Sequence, residues 1–237
     1  MITPHSAEPA RFASIVVAAG AGTRIGADRP KALLQLAGHA LVRYAAEAML
    51  AAGAERLVLV VPPDAQQEFE KALAGLPVDG FAAGGRERTD SVRNGLTALS
   101  TLTDLPSIVL ITDAARPLVP AEVTRRVVQA VSAGAPAVVP AVAVTDTIRE
   151  LTADGSRMLD RAALRAVQTP QGFDLEVLLD SYRRLGQDVI TDDAGVCERA
   201  GHPVTVVEGA AASFKITHPP DLALAEAIIT EDRKAPR

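Results

Sequence analysis

Three short stretches of this chain, Ser14–Ala19, Leu57–Val61 and Ile108–Ile111, are apolar and rich in β-branched residues, with no polar alternation along them. Strands with this pattern are buried on both faces, which is the environment of a parallel sheet covered by helices. Between the first two runs, Leu41, Tyr44, Ala45, Ala48, Met49 and Ala52 recur at spacings of three and four, placing one apolar stripe on a helix closed by Gly53. Strand, helix, strand is a βαβ unit.

The same alternation continues downstream. Helical patterns are expected at Asp64–Ala74, where Asp64 and Gln67 have capping-box spacing, and at Ser91–Leu99, Pro120–Ala133, Leu175–Leu185, Asp193–Ala200 and Asp221–Ile229. A further strand is expected at Ala137–Val144. The order implies a three-layer α/β fold with a mostly parallel sheet, whose ligands collect at the carboxyl ends of the strands. With 237 residues, 48% of them hydrophobic, one large domain spanning 12–230 suffices. Residues 1–9 and 231–237 read as loose ends. One segment breaks the alternation: Thr145–Gln168 is polar and arginine-rich without a period of its own, and reads as an arm that leaves the body, functional or pairing with a partner, or else as a floppy insertion.

Composition narrows the function. Lys and Arg total 24 against 29 Asp and Glu, a net charge of −5, and there is no basic run, no Trp and only two Tyr. Binding to nucleic acid or an anionic membrane is therefore not expected. No apolar run approaches the roughly 18 residues of a membrane helix. The single cysteine, Cys197, permits no internal disulfide and reads as core on a helix face, so a cytoplasmic setting is expected. The histidines, His5, His39, His202 and His218, show no metal-ligand spacing.

The residues that remain point to phosphate chemistry. Gly20-Ala21-Gly22-Thr23-Arg24-Ile25-Gly26 follows the first strand as a glycine-rich turn, where backbone N–H groups can approach a phosphate. Ile25 stands where a dinucleotide fingerprint needs its third glycine, and the Gly-Lys-Ser/Thr of a Walker loop is absent. What is left is a turn carrying Arg24, with Lys31 close behind. Asp113 stands at the end of the third strand and is followed by Ala114, Ala115 and Arg116, a place where one carboxylate could hold magnesium if a triphosphate completes the shell, or could simply cap a turn. Gly84-Gly85-Arg86-Glu87-Arg88-Thr89-Asp90-Ser91-Val92 is a second glycine turn into a helix, with Asp90 or Ser91 as N-cap or, alternatively, with backbone and hydroxyl groups shaped for a pyrimidine edge. Lys215 lies between Phe214 and Ile216 in a strand-like segment, either as an edge-strand charge or as an anion contact. Asp192 and Asp193 are expected as helix caps.

Taken in order, Ala18-Ala19-Gly20-Ala21-Gly22-Thr23-Arg24, Pro30-Lys31, the Gly84–Val92 segment, Asp113-Ala114-Ala115-Arg116-Pro117, Thr169-Pro170-Gln171, Thr191-Asp192-Asp193 and Lys215 resemble the 2-C-methyl-D-erythritol 4-phosphate cytidylyltransferase family. The likeness runs from about Phe12 to Ile229. It departs from the family's usual residues at Val17, Ile25 and Thr112. The resemblance implies a Rossmann-like nucleotidyltransferase fold, a homodimer joined through a projecting β-arm at 145–168, and transfer of CMP from CTP to the polyol phosphate with Mg2+. It also implies roles for individual residues. Ala18, Gly84 and Ser91 would hold the nucleotide's base, Gly20, Gly22, Arg24, Lys31 and Lys215 its triphosphate, Asp113 the metal, and Ala19 would also contact CTP. Arg24, Lys31 and Lys215 would be the catalytic cations. Ala114, Arg116, Thr169 and Lys215 would face the polyol phosphate, with Thr147 and Arg161 reaching it from the neighbouring subunit. Related enzymes acting on ribitol 5-phosphate share nearly all these motifs. A guanylyltransferase and a non-catalytic CTP sensor are the other readings of the same residues.

Overall fold

The computed structural model describes residues 10–20, 22, 29–186 and 190–234. Its centre is an eight-stranded sheet. The three apolar runs form neighbouring strands at its core: β1 (Phe12–Val17) lies between β4 (Ala54–Val61) and β6 (Ile108–Asp113), parallel to both. A small hairpin of β2 (Gln35–Leu36) and β3 (His39–Ala40) precedes α1 (Leu41–Ala51), the helix that the apolar stripe predicts. After β4 come α2 (Gln66–Ala72), β5 (Gly80–Ala83) on the far side of β4, and α3 (Arg88–Leu99), which leads into β6. Then follow α4 (Ala121–Ser132) and β7 (Ala137–Ala143).

Burial explains why these strands carry apolar runs without polar alternation. Phe12, Val16, Leu57, Leu59, Ile108 and Leu110 point to one face, where they pack with α1, α2 and α4 through Met49, Phe69 and Val127. The intervening Ala13, Ile15, Val58, Val60, Val109 and Ile111 point to the other face, against Val92, Leu96 and Leu99 of α3. Strand residues alternate between two dry layers, so both faces favour apolar residues, and the fully buried Ser14 of β1 is an exception.

The second half adds an antiparallel part. Strand β8 (Arg149–Thr152) pairs only with β9 (Gly155–Met158), and β10 (Arg165–Val167) runs antiparallel to β7. Strand β11 (Gln171–Asp174) lies antiparallel between β6 and β7 and leads into α5 (Leu175–Arg184). Helix α6 (Asp193–Arg199) and β12 (Val204–Glu208), parallel to β7, complete the sheet, and α7 (Pro219–Lys234) closes over the β2–β3 hairpin with Leu36, Leu41, Ile216, Ala225 and Ile229 between them. Helices α5 and α6 extend the second layer through Leu178, Tyr182 and Cys197.

Several expectations need correction. The arm is shorter than 145–168. The β8–β9 hairpin projects, but Arg165–Val167 joins the main sheet, and the amide of the buried Gln168 ties that end to the body by donating to Ala210 O at 2.9 Å and accepting from Ala210 N at 3.1 Å. Three residues of Arg-Ala-Val carry no pattern of their own; pairing with β7 makes them a strand. The last residues are not a loose end from 231 onward, because α7 continues to Lys234 after its apolar spacing stops. Helix α2 starts at Gln66 with Ala65 as N-cap and no side-chain cap, so the Asp64/Gln67 spacing is not used as a capping box. The capping box lies at α3 instead, where the Glu87 side chain and Asp90 exchange backbone bonds and Ser91 sits inside the helix. The segment around Lys215 is an extended connection rather than a strand, tied to the sheet rim by the backbone bond from Ile216 N to Ala115 O. Residues 1–9 lie outside the described residues.

Candidate active site

The carboxyl ends of β1, β4 and β6 stop at one level. Val17 pairs with Val60 on one side and Asp113 on the other, Ala18 N donates to Val60 O at 2.8 Å, and Ala114 N donates to Val17 O at 3.0 Å. The loops leaving this rim enclose a cavity of about 450 Å3. Its wall includes Ala18, Ala19, Gly20, Lys31, Ser91, Asp113, Ala114 and Lys215, which the sequence nominates, and also Arg86, Glu87 and Arg88.

Two glycines let the backbone come this close. At Gly84 a Cβ would lie 2.3 Å from Ala19 Cβ, so the first and second glycine loops touch only because residue 84 has no side chain. Gly22 has φ +68 and its Cβ would meet Lys31 Cβ at 2.6 Å, so Lys31 packs directly against the Gly22 backbone. Lys31 Nζ donates to Ile216 O at 2.9 Å. Arg24 of that turn lies outside the described residues, as does Ile25. Ser91 closes the second loop, its Oγ accepting from Gly85 N at 3.0 Å and donating to Glu87 O at 3.1 Å. One lone pair of the hydroxyl remains for an N–H of a ligand.

Asp113 is the only Asp in the cavity wall among the described residues, and cations surround it. Lys215 Nζ donates to its Oδ2 at 2.8 Å and Arg88 Nη2 approaches its Oδ1 at 3.5 Å. Burial opposes its ionisation, but Arg88, Lys215 and Arg116 outweigh that cost and hold its pKa down at about 2. The carboxylate is therefore anionic at neutral pH. Thr169 supports it from below, its Oγ1 accepting from Asp113 N at 3.0 Å and lying 3.4 Å from Thr112 Oγ1. Arg116 donates from Nη1 to Ser213 O at 2.7 Å and from Nη2 to Val167 O at 3.3 Å, while its buried Nε finds no acceptor among the described residues.

Thr147 and Arg161 are exposed on the arm and are not part of this wall; Arg161 bonds Thr145 O. The structure also brings in residues that the sequence pattern does not assign. Arg88 pairs with Asp193 at 2.5 Å, and Asp193 accepts from Tyr182 Oη at 2.6 Å. Asp192 is the N-cap of α6, accepting from Gly195 N at 3.1 Å, so the expected capping role holds for it alone; Asp193 turns inward and has no exposed surface. A helix needs one N-cap residue, and the second carboxylate of the pair was the available signal.

For a metal, the donor set is spare. Among the described residues no cluster of three or more His, Cys, Asp or Glu could hold an ion. One ionised carboxylate beside cationic groups fits magnesium arriving with a polyphosphate, since that ion takes one or two carboxylates and fills its octahedron with phosphate oxygens and water. No helix among the described residues is long and apolar enough to cross a membrane.

A three-layer α/β body with glycine loops, cations and one carboxylate at the carboxyl rim of its strands belongs to the class of proteins that bind phosphorylated ligands at that edge. Comparison with known sequences makes the class specific. The family model of IspD, 2-C-methyl-D-erythritol 4-phosphate cytidylyltransferase, matches residues 12–231, and the chain belongs to this family. It is similar to the 2-C-methyl-D-erythritol 4-phosphate cytidylyltransferase of Frankia casuarinae, with 44% identity over 92% of this chain and 81% of the relative. It is also similar to the protein of that name from Nocardia farcinica, at 45% identity over 94% of each chain. Among solved structures, the enzyme of that name from Thermus thermophilus superposes with a TM-score of 0.73 at 34% identity, covering 92% of this chain and 99% of the other. The 4-diphosphocytidyl-2C-methyl-D-erythritol synthase of Anaerococcus prevotii, at 23% identity, shares the fold with a TM-score of 0.80 over 94% of this chain and all of its own.

Proposed function

We infer that the chain transfers CMP from CTP to 2-C-methyl-D-erythritol 4-phosphate, giving the 4-diphosphocytidyl product and pyrophosphate. The observation that carries this reading is the ionised Asp113, ringed by Lys215, Arg88 and Arg116 at the strand rim, within reach of the two glycine loops. Ala18, Gly84 and Ser91 hold the cytosine, Ala19 lies beside the nucleotide, and Gly20, Gly22, Arg24, Lys31 and Lys215 hold the triphosphate. Asp113 holds magnesium, which when bound neutralises charge on the triphosphate.

The chemistry needs no protein base. A phosphomonoester has its second pKa at about 6, so the acceptor phosphate is already largely dianionic at neutral pH. One of its oxygens attacks the α-phosphorus of CTP, the bond from that phosphorus to the β-bridging oxygen breaks, and pyrophosphate leaves with the electron pair. The protein's task is to place two mutually repelling anions in line and to neutralise charge on the α-phosphate and the leaving group. Lys31 and Lys215 do this from fixed positions, and Arg116, pinned by its bonds to Ser213 O and Val167 O, adds positive charge for the acceptor phosphate. The nucleotide binds first, because the cations and Asp113 are arranged for a metal triphosphate.

The β8–β9 hairpin exposes Leu151 at 84% and Met158 at 69%, an apolar pair suited to cover by a second copy of the chain. In a twofold dimer, Thr147 and Arg161 of each arm serve the other copy's cavity. The nucleotide supply and the lone buried cysteine suit the cytoplasm. The test is phosphorus NMR of the reaction with CTP, magnesium and the acceptor phosphate. A new diphosphate diester pair appearing with equimolar pyrophosphate supports the reading, and inorganic phosphate as the sole product refutes it.

A further inference from the structure

Behind Asp113 runs a buried line of polar side chains that the reaction above does not use. Tyr182 on α5 donates to Asp193 Oδ1 at 2.6 Å, and Arg88, the first residue of α3, donates from Nη1 to Asp193 Oδ2 at 2.5 Å. The other amino group of the same guanidinium stands 3.5 Å from Asp113 Oδ1. Asp193 has no exposed surface and Tyr182 is buried. Swapping a buried ion pair for apolar side chains is often neutral or stabilising, so stability alone does not explain why charge is kept here. The distances suggest another purpose. Arg88 bonds Asp193 closely and Asp113 loosely, although both carboxylates are within its reach.

We propose that Asp193, fixed by the Tyr182 hydroxyl, is a positioning residue that anchors the Arg88 guanidinium and keeps it from closing onto Asp113. Asp113 Oδ1 is thereby left available to an incoming cation, while Lys215 holds the other oxygen. The inference rests on the assignment of Asp113 to magnesium. With the Asp193 charge removed, Arg88 has Asp113 as its remaining buried carboxylate, and the resulting two-point ion pair competes with the metal.

Calorimetric titration of CTP into the full chain, with magnesium and separately with EDTA, tests this without turnover, because no acceptor phosphate is present. The ratio of the EDTA dissociation constant to the magnesium one isolates the metal's contribution. Asp193→Asn is expected to lower that ratio by about 10- to 100-fold, the usual effect of disturbing a group that orients a metal ligand, and to leave the EDTA value unchanged. Tyr182→Phe moves it the same way by less. The double variant Asp193→Asn/Arg88→Gln recovers most of the ratio, because the competing guanidinium is gone. A structural role alone would lower Tm and give a double variant no better than the single one, and that result, or an unchanged ratio in Asp193→Asn, overturns the proposal. If Asp193→Asn does not fold, Tyr182→Phe, which removes one hydroxyl, decides the question by the same ratio. Asp113→Asn is measured beside them. If it keeps the wild-type ratio, the metal assignment itself falls; if it loses the ratio while Asp193→Asn does not, only the positioning role falls.

Discussion

Replacing Gly84 with alanine tests how closely the two glycine loops approach. The added Cβ would lie 2.3 Å from Ala19 Cβ and 3.4 Å from Val61 O. Carbon atoms rest at about 3.5–4.0 Å, so the first contact is short by more than about 1 Å. Ala19 has no rotamer to yield, and Gly84 N is tied to Val61 O at 2.7 Å, so backbone must shift. Overpacking of this kind costs about 1–3 kcal/mol. The alanine also restricts the unfolded chain, which offsets about 0.4–1 kcal/mol. The net loss is about 1–2 kcal/mol, which in a chain of this size lowers Tm by about 2–8 °C. Because Ala19 lines the cavity, the KM for CTP should rise several-fold with it. Gly80→Ala is the matched control, since a Cβ there meets nothing within 4 Å: its Tm should stay at or slightly above the wild-type value, through the same restriction of the unfolded chain, and its KM should not change. Thermal unfolding and initial rates measure both. A Gly84→Ala protein that melts and binds like Gly80→Ala would show that the loops do not touch as described.

Three further outcomes are expected. Lys31→Ala and Arg24→Ala should each lower kcat by about 100-fold or more with a modest change in KM, as removal of one charge-stabilising group does, and steady-state kinetics would exclude either residue if its variant kept full activity. Asp113 has its pKa depressed from 3.8 to about 2 in the fold, so the stability it lends is fully present above about pH 4 and is lost as pH falls toward 2; this amounts to about 2 kcal/mol. Urea unfolding of metal-free protein between pH 5 and 2 should therefore show a shallower acid loss in Asp113→Asn, and parallel curves would contradict the assignment. Burial pushes the Cys197 thiol up to about 11, so a disulfide reagent at pH 8 should modify it only as fast as the protein unfolds, and rapid stoichiometric labelling of the native chain would place it elsewhere.

The legibility of this fold followed the length of each local signal. Strands β1, β4 and β6 could be read because four or five apolar, largely β-branched residues in sequence have few other destinations, and α1, α4 and α5 because their stripes span three turns. Strands β5 and β11 have four residues each, Gly-Phe-Ala-Ala and Gln-Gly-Phe-Asp, and become strands by pairing with β4, β6 and β7 rather than by pattern. The same holds for β10, which is why the arm looked longer than it is. In the site, Lys31, Ser91, Asp113 and Lys215 were nominated by position and meet in one cavity. Asp193, Tyr182 and Arg88 escaped notice as a unit because they come from three separate helices, and only the packing of α3, α5 and α6 on one face of the sheet joins them. Asp192 and Asp193 are neighbours of identical type, and the sequence does not say which one caps and which turns inward.

The most direct single measurement is pyrophosphate release with magnesium, offering CTP or GTP against 2-C-methyl-D-erythritol 4-phosphate or ribitol 5-phosphate in all four combinations. Rapid turnover is expected for CTP with the methylerythritol phosphate, and little in the other three. Turnover confined to ribitol 5-phosphate would keep the chemistry and overturn the substrate, preference for GTP would overturn the nucleotide, and CTP binding with no pyrophosphate from any pair would contradict the transferase reading itself.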